Sequence, residues 1–400
     1  MRNHANKEQV KTESVFFQLA FRPLFFAGGL FSCIALVVWG LVLHGKLLFS
    51  PYGGVLFWHS HEMLFGFVCA VIVGFLLTAV QNWTGVRSIH GKKLLLLTSL
   101  WLLARIAMVL PFVPKWCVFV IDMSFLPLAG YWLAQPIILK GQMRNLFFVP
   151  ILLMLSATNL LMHLGVVLGV FELYQHGYMS AILLITLLMS VLGGRVIPFF
   201  TANATQTKKV VGKAWLEIAA LGSTWGMFFL YFCGLIYYIA DEVVGVLFVI
   251  CALLHCLRAA RWHFFKTLSI PLLWSLHLAY WFIPLGILLM GAAYLFELLS
   301  ISTAFHALTV GAMGNMILSM MSRVSLGHTG RKLIVKHAII FAFGAVLVAA
   351  LLRVFGVLID AELTLYFISL SVITWCIAYG LFSLVYFPVL TQPRVDEQSK

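Results

Sequence analysis

Long apolar runs alternate with short polar segments along the chain. An α-helix needs about 20 mostly apolar residues to cross the hydrocarbon of a bilayer, and twelve runs approach or exceed that length. The pattern predicts an all-α polytopic membrane protein with about twelve transmembrane helices. No linker divides the chain, so we expect one helical membrane domain over residues 1–400, with tails at 1–20 and 389–400. The runs span residues 24–44, 57–80, 93–110, 116–139, 146–168, 177–197, 214–239, 242–257, 271–296, 301–322, 336–358 and 363–387.

Composition and charge support this prediction. With 62% hydrophobic and 10% charged residues, the chain lies outside the range of soluble globular domains. Twelve spans with both termini in the cytoplasm would place 22 of the 26 Lys and Arg residues in cytoplasmic connections or tails, as the positive-inside rule requires. The net charge of +13 then reflects loop orientation and contact with anionic lipid, and no nucleic acid is needed to explain it.

Motifs for several kinds of chemistry are missing from the sequence. The seven cysteines form no CxxC pair, and we expect all of them to pack as small apolar residues. Without a CxxCH motif, any haem would be held non-covalently. There is also no HExxH, no GxSxG and no phosphate-binding glycine loop.

The most informative segment is WHSHE at 58–62, where the second apolar run begins. Ionisable groups inside a membrane usually face the bundle interior and mark a metal, a proton path or a substrate. On a regular helix His59 and Glu62 share a face with Gly66, whereas His61 lies about 200° away. Either this helix is irregular or the two imidazoles have separate roles. The alternative is that one histidine merely caps or hydrogen-bonds near the interface.

Other histidines join these two as candidate metal ligands, because neutral imidazole binds copper and haem iron. The predicted topology places four of them at the outer ends of their spans, namely His59, His61, His163 and His306. His277 lies nearer the cytoplasmic side. A hydrogen-bonded helix seam would explain His163 equally well. The methionines on the face of His306 are expected to be packing residues. The candidate ligands are therefore His59, His61, His163, His277 and His306.

Four charged residues inside or at the ends of spans need partners. Arg105 and Asp122 lie at similar depth on neighbouring spans, which predicts an ion pair. Arg353 has Glu297 as a candidate partner at a similar depth. Arg195 ends a span at the predicted cytoplasmic face, so it is either a snorkelling anchor or a contact for an anion such as a haem propionate.

Six segments run in a familiar order over nearly the whole chain: FRPLF at 21–25, WHSHEMLFG at 58–66, GFLLTAVQNWTG at 74–85, GRVIPFFT at 194–201, HALTVG at 306–311 and SLGHTGR at 325–331. These segments resemble the NnrS family. The resemblance implies a bacterial inner-membrane protein that contains haem and copper and is linked to nitric oxide metabolism and resistance to nitrosative stress. Its implied partners are the lipid bilayer and nitric oxide, whereas the reaction, if there is one, and the electron donor stay open. Non-covalent, b-type haem is expected.

Two other functions fit the same spans. A twelve-helix secondary transporter of a metal or small solute would have the same topology and would contain no haem. A scaffold within a respiratory assembly would use its histidines only to join helices. A Soret band in purified protein would distinguish a haem-binding protein from both the transporter and the scaffold.

Overall fold

The computed structural model describes residues 14–296, 299–359 and 362–395. These residues form twelve long helices and no strand, so the predicted all-α fold is confirmed. Ten of the twelve are long and apolar enough to cross a membrane. The helices are α1 Phe21–Leu43, α2 Val55–Thr84, α3 Gly91–Val109, α4 Lys115–Leu139, α5 Met143–Leu168, α6 Phe171–Thr205, α7 Ala214–Phe232, α8 Asp241–Ala260, α9 Pro271–Leu295, α10 Ile301–His328, α11 His337–Ile359 and α12 Thr364–Thr391.

The two less apolar helices, α3 and α7, carry charges that pair with their neighbours. In α3, Arg105 is buried and forms an ion pair with Asp122 of α4. In α7, Glu217 accepts a 2.5 Å hydrogen bond from Arg258 of α8. Pairing lowers the cost of placing these charges among apolar helices.

Some helix ends differ from the apolar runs. The seventh run continues to residue 239, but α7 ends at Phe232 because Gly234 has a left-handed backbone, with φ of +71°. Conversely, α6 has 35 residues, so it is about 52 Å long. It is longer than a hydrocarbon core of about 30 Å and extends past its apolar run at both ends.

Three of the helices contain a π-helical segment. These segments are Glu62–Val68 in α2, Ala307–Gly314 in α10 and Leu352–Gly356 in α11. A π-helix has i→i+5 hydrogen bonds, so it changes which residues share a helix face. Phase arguments based on a regular α-helix therefore fail across these segments.

Two arginines that the charge count placed outside the spans are buried inside helices. Arg22 is 1% exposed and donates hydrogen bonds to the carbonyl oxygens of Leu390 and Gln392, at 2.7 and 2.8 Å. Arg258 is 2% exposed and lies in the last turn of α8. Both have structural partners, so they say less about orientation than loop charges do. The cytoplasmic position of both termini stays a prediction, and residues 1–13 and 396–400 of the predicted tails lie outside the described residues.

The first and last helices pack against each other through a pair of cysteines. The Sγ atom of Cys33 lies 3.8 Å from the carbonyl oxygen of Cys376. The Sγ atom of Cys376 lies 3.7 Å from the carbonyl oxygen of Cys33. Next to them, the indole of Trp375 donates a 3.2 Å hydrogen bond to the Ser32 hydroxyl. These contacts bring together residues 343 positions apart.

Candidate functional site

A buried polar cluster lies between α2, α3, α4 and α5, centred on Asp122. One carboxylate oxygen, Oδ2, lies 2.7 Å from Asn159 Nδ2, 3.1 Å from His61 Nε2 and 3.1 Å from His163 Nε2. The other oxygen pairs with the guanidinium of Arg105, which confirms the predicted ion pair. Asn159 and His163 share a face of α5, and both contact this carboxylate.

Glu62 is the second carboxylate in this cluster. Its Oε1 atom lies 2.9 Å from His61 Nδ1 and 3.1 Å from Arg105 Nη1. We use the name carboxylate cluster for His61, Glu62, Arg105, Asp122, Asn159 and His163. With neutral imidazoles, two carboxylates face one guanidinium, which leaves one net negative charge. A proton on His61, whose two ring nitrogens both face acceptors, or a bound metal cation balances that charge.

Three members of the carboxylate cluster form a possible metal site. One ligand atom each from His61, Asp122 and His163 can be chosen so that all lie within 4.8 Å of one another, and all three residues are buried. Two imidazole nitrogens with one carboxylate oxygen suit copper, iron or zinc better than calcium or magnesium. Both histidines were predicted as ligands from the sequence. Asp122 was not, because its predicted ion pair with Arg105 already explained a carboxylate at that depth.

An open vestibule of about 740 Å³ lies at the predicted outer end, beside the carboxylate cluster. Tyr52, in the connection before α2, lines this vestibule, and its hydroxyl lies 3.0 Å from His163 Nδ1. Burial and the negative charge of Asp122 raise the pKa of the Tyr52 hydroxyl. It therefore stays protonated, and it can donate to or accept from His163 Nδ1, depending on which ring nitrogen carries the proton. Tyr52 was not predicted as a site residue, because helical periodicity cannot place a side chain that lies in a connection.

A second space, which we term the histidine cavity, has a volume of about 280 Å³. His59 of α2 and His306 of α10 both line it, and Arg353 of α11 lies in the same wall. Each of these side chains precedes or belongs to a π-helical segment. Much of the remaining wall is aromatic or contains a thioether, and includes Trp39, Met63, Tyr174, Tyr178, Met313 and Trp375.

The two imidazoles of the histidine cavity differ in their hydrogen bonds. His306 Nδ1 lies 2.6 Å from the carbonyl oxygen of Ser302. That nitrogen therefore carries the proton and leaves Nε2 as a free ligand, the usual orientation of a metal-binding histidine. His59 stacks on Trp39, with ring centres 4.2 Å apart and planes 13° apart. His59 Nδ1 is buried and has no hydrogen-bond partner among the described residues.

Arg353 is the one formally charged residue among those that line the histidine cavity. It forms no hydrogen bond or ion pair with any residue in the described part of the chain. Its candidate partner Glu297 lies outside the described residues. Arg353 is close enough to interact electrostatically with both His59 and His306.

The structure separates His59 from His61, as the second interpretation of the WHSHE segment predicted. His59 lies in the histidine cavity and His61 in the carboxylate cluster. The prediction that Glu62 shares a face with His59 is wrong, since Glu62 contacts His61 instead. The carboxylate of Glu62 instead turns toward the imidazole of His61 and the guanidinium of Arg105, which attract it.

The other two predicted site residues, His277 and Arg195, lie outside both the carboxylate cluster and the histidine cavity. His277 is buried on α9, where its Nε2 atom lies 2.9 Å from the hydroxyl of Thr201. Arg195 is exposed, and its guanidinium carbon lies 5.8 Å from the centre of the Phe148 ring. Neither lines the histidine cavity or belongs to the carboxylate cluster.

A buried network that the sequence did not reveal joins α7, α8 and α9. Arg258 Nη1 donates a 2.8 Å hydrogen bond to the hydroxyl of Tyr280, which lies 2.9 Å from His255 Nδ1. His255 Nε2 in turn lies 2.7 Å from the hydroxyl of Thr224, and Arg258 also binds Glu217. This network joins three helices, and it was missed because Arg258 was counted as a loop charge.

The sequence model of the family described as NnrS protein matches residues 15–394, nearly the whole chain. No curated protein matches the chain.

Proposed function

The chain belongs to the NnrS family, and from that premise we propose that it is a haem- and copper-binding protein of the bacterial inner membrane that acts in nitric oxide metabolism or resistance to nitrosative stress. The observation that carries the proposal is the separation of two histidine pairs into two sites. His61 and His163 meet at a carboxylate, whereas His59 and His306 line a cavity that contains an arginine. Two such sites match two different metal centres.

The carboxylate cluster fits copper. Its three donor atoms are close together and buried, and its net negative charge favours a cation. The space around Asp122 is filled by Asn159 and Arg105, which leaves no room for a flat macrocycle. In our proposal His61, Asp122 and His163 hold the copper, and Tyr52 orients His163 through Nδ1.

The histidine cavity fits haem. Its walls are largely aromatic and aliphatic, and two imidazoles from different helices line it. The buried Nδ1 atom of His59 lacks a partner, and the Ser302 carbonyl already orients His306 for ligation. We propose that His59 and His306 hold the haem iron. When bound, ferrous haem and Cu(I) both supply a metal centre that binds nitric oxide.

The chain itself contributes orientation and a water-poor environment. The stack on Trp39 fixes the His59 ring, and the hydrogen bond to Ser302 fixes the His306 ring. Nitric oxide is small and apolar, so it can reach the histidine cavity through the lipid and between side chains. No charged channel is needed for that route.

Optical spectra and metal analysis of purified protein in detergent test the proposal. The wild type is expected to show a Soret band and to contain copper. His306→Ala should lose most of its haem and keep its copper, whereas His163→Ala should lose copper and keep its haem. His277→Ala is the matched control, because its Thr201 contact lies apart from both sites, and it should keep both.

A different result would remove the basis of the proposal. Colourless wild-type protein without copper would contradict it and favour a transporter. Wild-type levels of both metals in His306→Ala and His163→Ala would refute the assigned ligands.

A further inference from the structure

The histidine cavity carries a positive charge that its own walls do not balance. Among the described residues that line it, Arg353 is the one with a formal charge, and no described Asp, Glu or Lys accompanies it. The other polar side chains of the lining carry hydroxyls or imidazoles, such as Ser371, Thr309 and His306. All of these are neutral acceptors or donors, so the lining carries a net positive charge.

Arg353 is half-buried within α11, a helix long and apolar enough to cross a membrane. Charged side chains in membrane spans usually pair with an opposite charge or line a functional space. A charge that is partly removed from water is stabilised by an opposite charge. No described residue forms an ion pair or hydrogen bond with Arg353. The missing partner is therefore expected to come with whatever binds in the cavity.

The geometry of guanidinium narrows the chemistry of that partner. Its planar fork matches the two oxygens of a carboxylate or another oxyanion. Snorkelling toward the membrane surface is the usual alternative for an arginine near a helix end. Arg353 instead lines the cavity and acts electrostatically on both imidazoles.

We infer that Arg353 binds a propionate carboxylate of haem in the histidine cavity. The inference rests on the proposed function, because it takes haem to be the ligand of that cavity. It transfers to Arg353 the propionate contact that the sequence suggested for Arg195, which is exposed and lines no part of the cavity. A free oxyanion such as nitrite shares the same chemistry and is tested as the second source.

The experiment compares haem with its dimethyl ester, in which both propionates are neutral. Full-length protein depleted of haem is titrated with each compound, and the Soret band reports binding. Wild type should bind haem about tenfold more tightly than the diester, or more, as expected for a charge-assisted hydrogen bond. Arg353→Gln should bind both compounds with similar affinity, close to that of wild type for the diester.

Arg195→Gln is the matched control, and it should keep the wild-type preference for haem over the diester. Copper content and elution from gel filtration report whether each variant is folded. If Arg353→Gln does not fold, Arg353→Met with bound copper serves in its place, since Met keeps the apolar stem.

Each outcome separates the two claims. An unchanged preference in folded Arg353→Gln would overturn the inference and leave the proposed function intact. A saturable nitrite-induced Soret shift that requires Arg353, together with an unchanged preference, would reassign the site to a free oxyanion. If neither compound binds to wild type, both the inference and the haem part of the proposed function fail.

Discussion

His59 and His61 are two residues apart on α2 but lie in different sites. His59 stacks on Trp39 in the histidine cavity, and His61 contacts Asp122 in the carboxylate cluster. One helix therefore supplies an imidazole to each of two sites, and Glu62, the next residue after His61, contacts it in the carboxylate cluster.

The two sites also differ in charge. The carboxylate cluster has two carboxylates against one guanidinium, and the described residues that line the histidine cavity include one guanidinium and no carboxylate. A cation is favoured in the first and an anionic ligand in the second. Copper and haem match these preferences.

The Arg105–Asp122 pair should be much more sensitive to single than to double substitution. Asp122→Asn leaves the Arg105 guanidinium buried with one carboxylate fewer, and removing one partner of a buried pair typically costs about 3–5 kcal/mol. Arg105→Gln with Asp122→Asn should cost less than the sum of the single changes. Thermal unfolding in detergent measures all four proteins. Additive effects would show that the two side chains do not act as a pair.

Tyr52→Phe should weaken copper binding without affecting haem. The Tyr52 hydroxyl lies 3.0 Å from His163 Nδ1, so it orients the ring by accepting the Nδ1–H hydrogen bond when Nε2 binds copper. Losing such a partner typically lowers metal affinity about 10- to 100-fold. Copper retention during dialysis against a chelator measures the change. Phe171→Leu, an exposed change in the same vestibule, is the control. Equal retention in Tyr52→Phe and wild type would argue against a copper ligand at His163.

Cys33 and Cys376 should form a disulfide when membranes are treated with diamide. Each sulfur lies within 3.8 Å of the other residue's carbonyl oxygen, which places the two thiols in contact range. After proteolysis in the connection 206–213, the N- and C-terminal fragments should remain joined until a reductant is added. Cys376→Ser is the control and should separate. Separation in the wild type would contradict the packing of α1 on α12.

Tyr280→Phe should destabilise the protein and leave both metals bound. The Tyr280 hydroxyl accepts a hydrogen bond from Arg258 and contacts His255, and both partners are buried. Leaving buried polar groups unsatisfied costs about 1–3 kcal/mol. Thermal unfolding should show the loss, and optical spectra with metal analysis should match the wild type. A loss of haem or copper would instead connect this network to the metal centres.

Much of the architecture could be predicted from periodicity. The apolar runs predict the helices, and regular phase on α5 brings Asn159 and His163 to one face. Depth alone predicts the Arg105–Asp122 pair, because both charges needed a partner at the same level.

The rest depends on features without a local signal. Nothing in the sequence marks the π-helical segments, and helical phase alone does not show that Glu62 contacts His61 and Arg105. Tyr52 lies in a connection, and Arg353 reaches the histidine cavity only because six helices converge there. Tertiary packing, which joins distant parts of the chain, determines these positions.

Haem and copper content of His59→Gln and His61→Gln, measured on the same purified samples, tests the central claim most directly. The account predicts that His59→Gln loses its Soret band and keeps its copper, and that His61→Gln keeps its Soret band and loses its copper. Loss of the same metal from both variants, or of neither metal from either, would show that these two histidines do not serve separate centres.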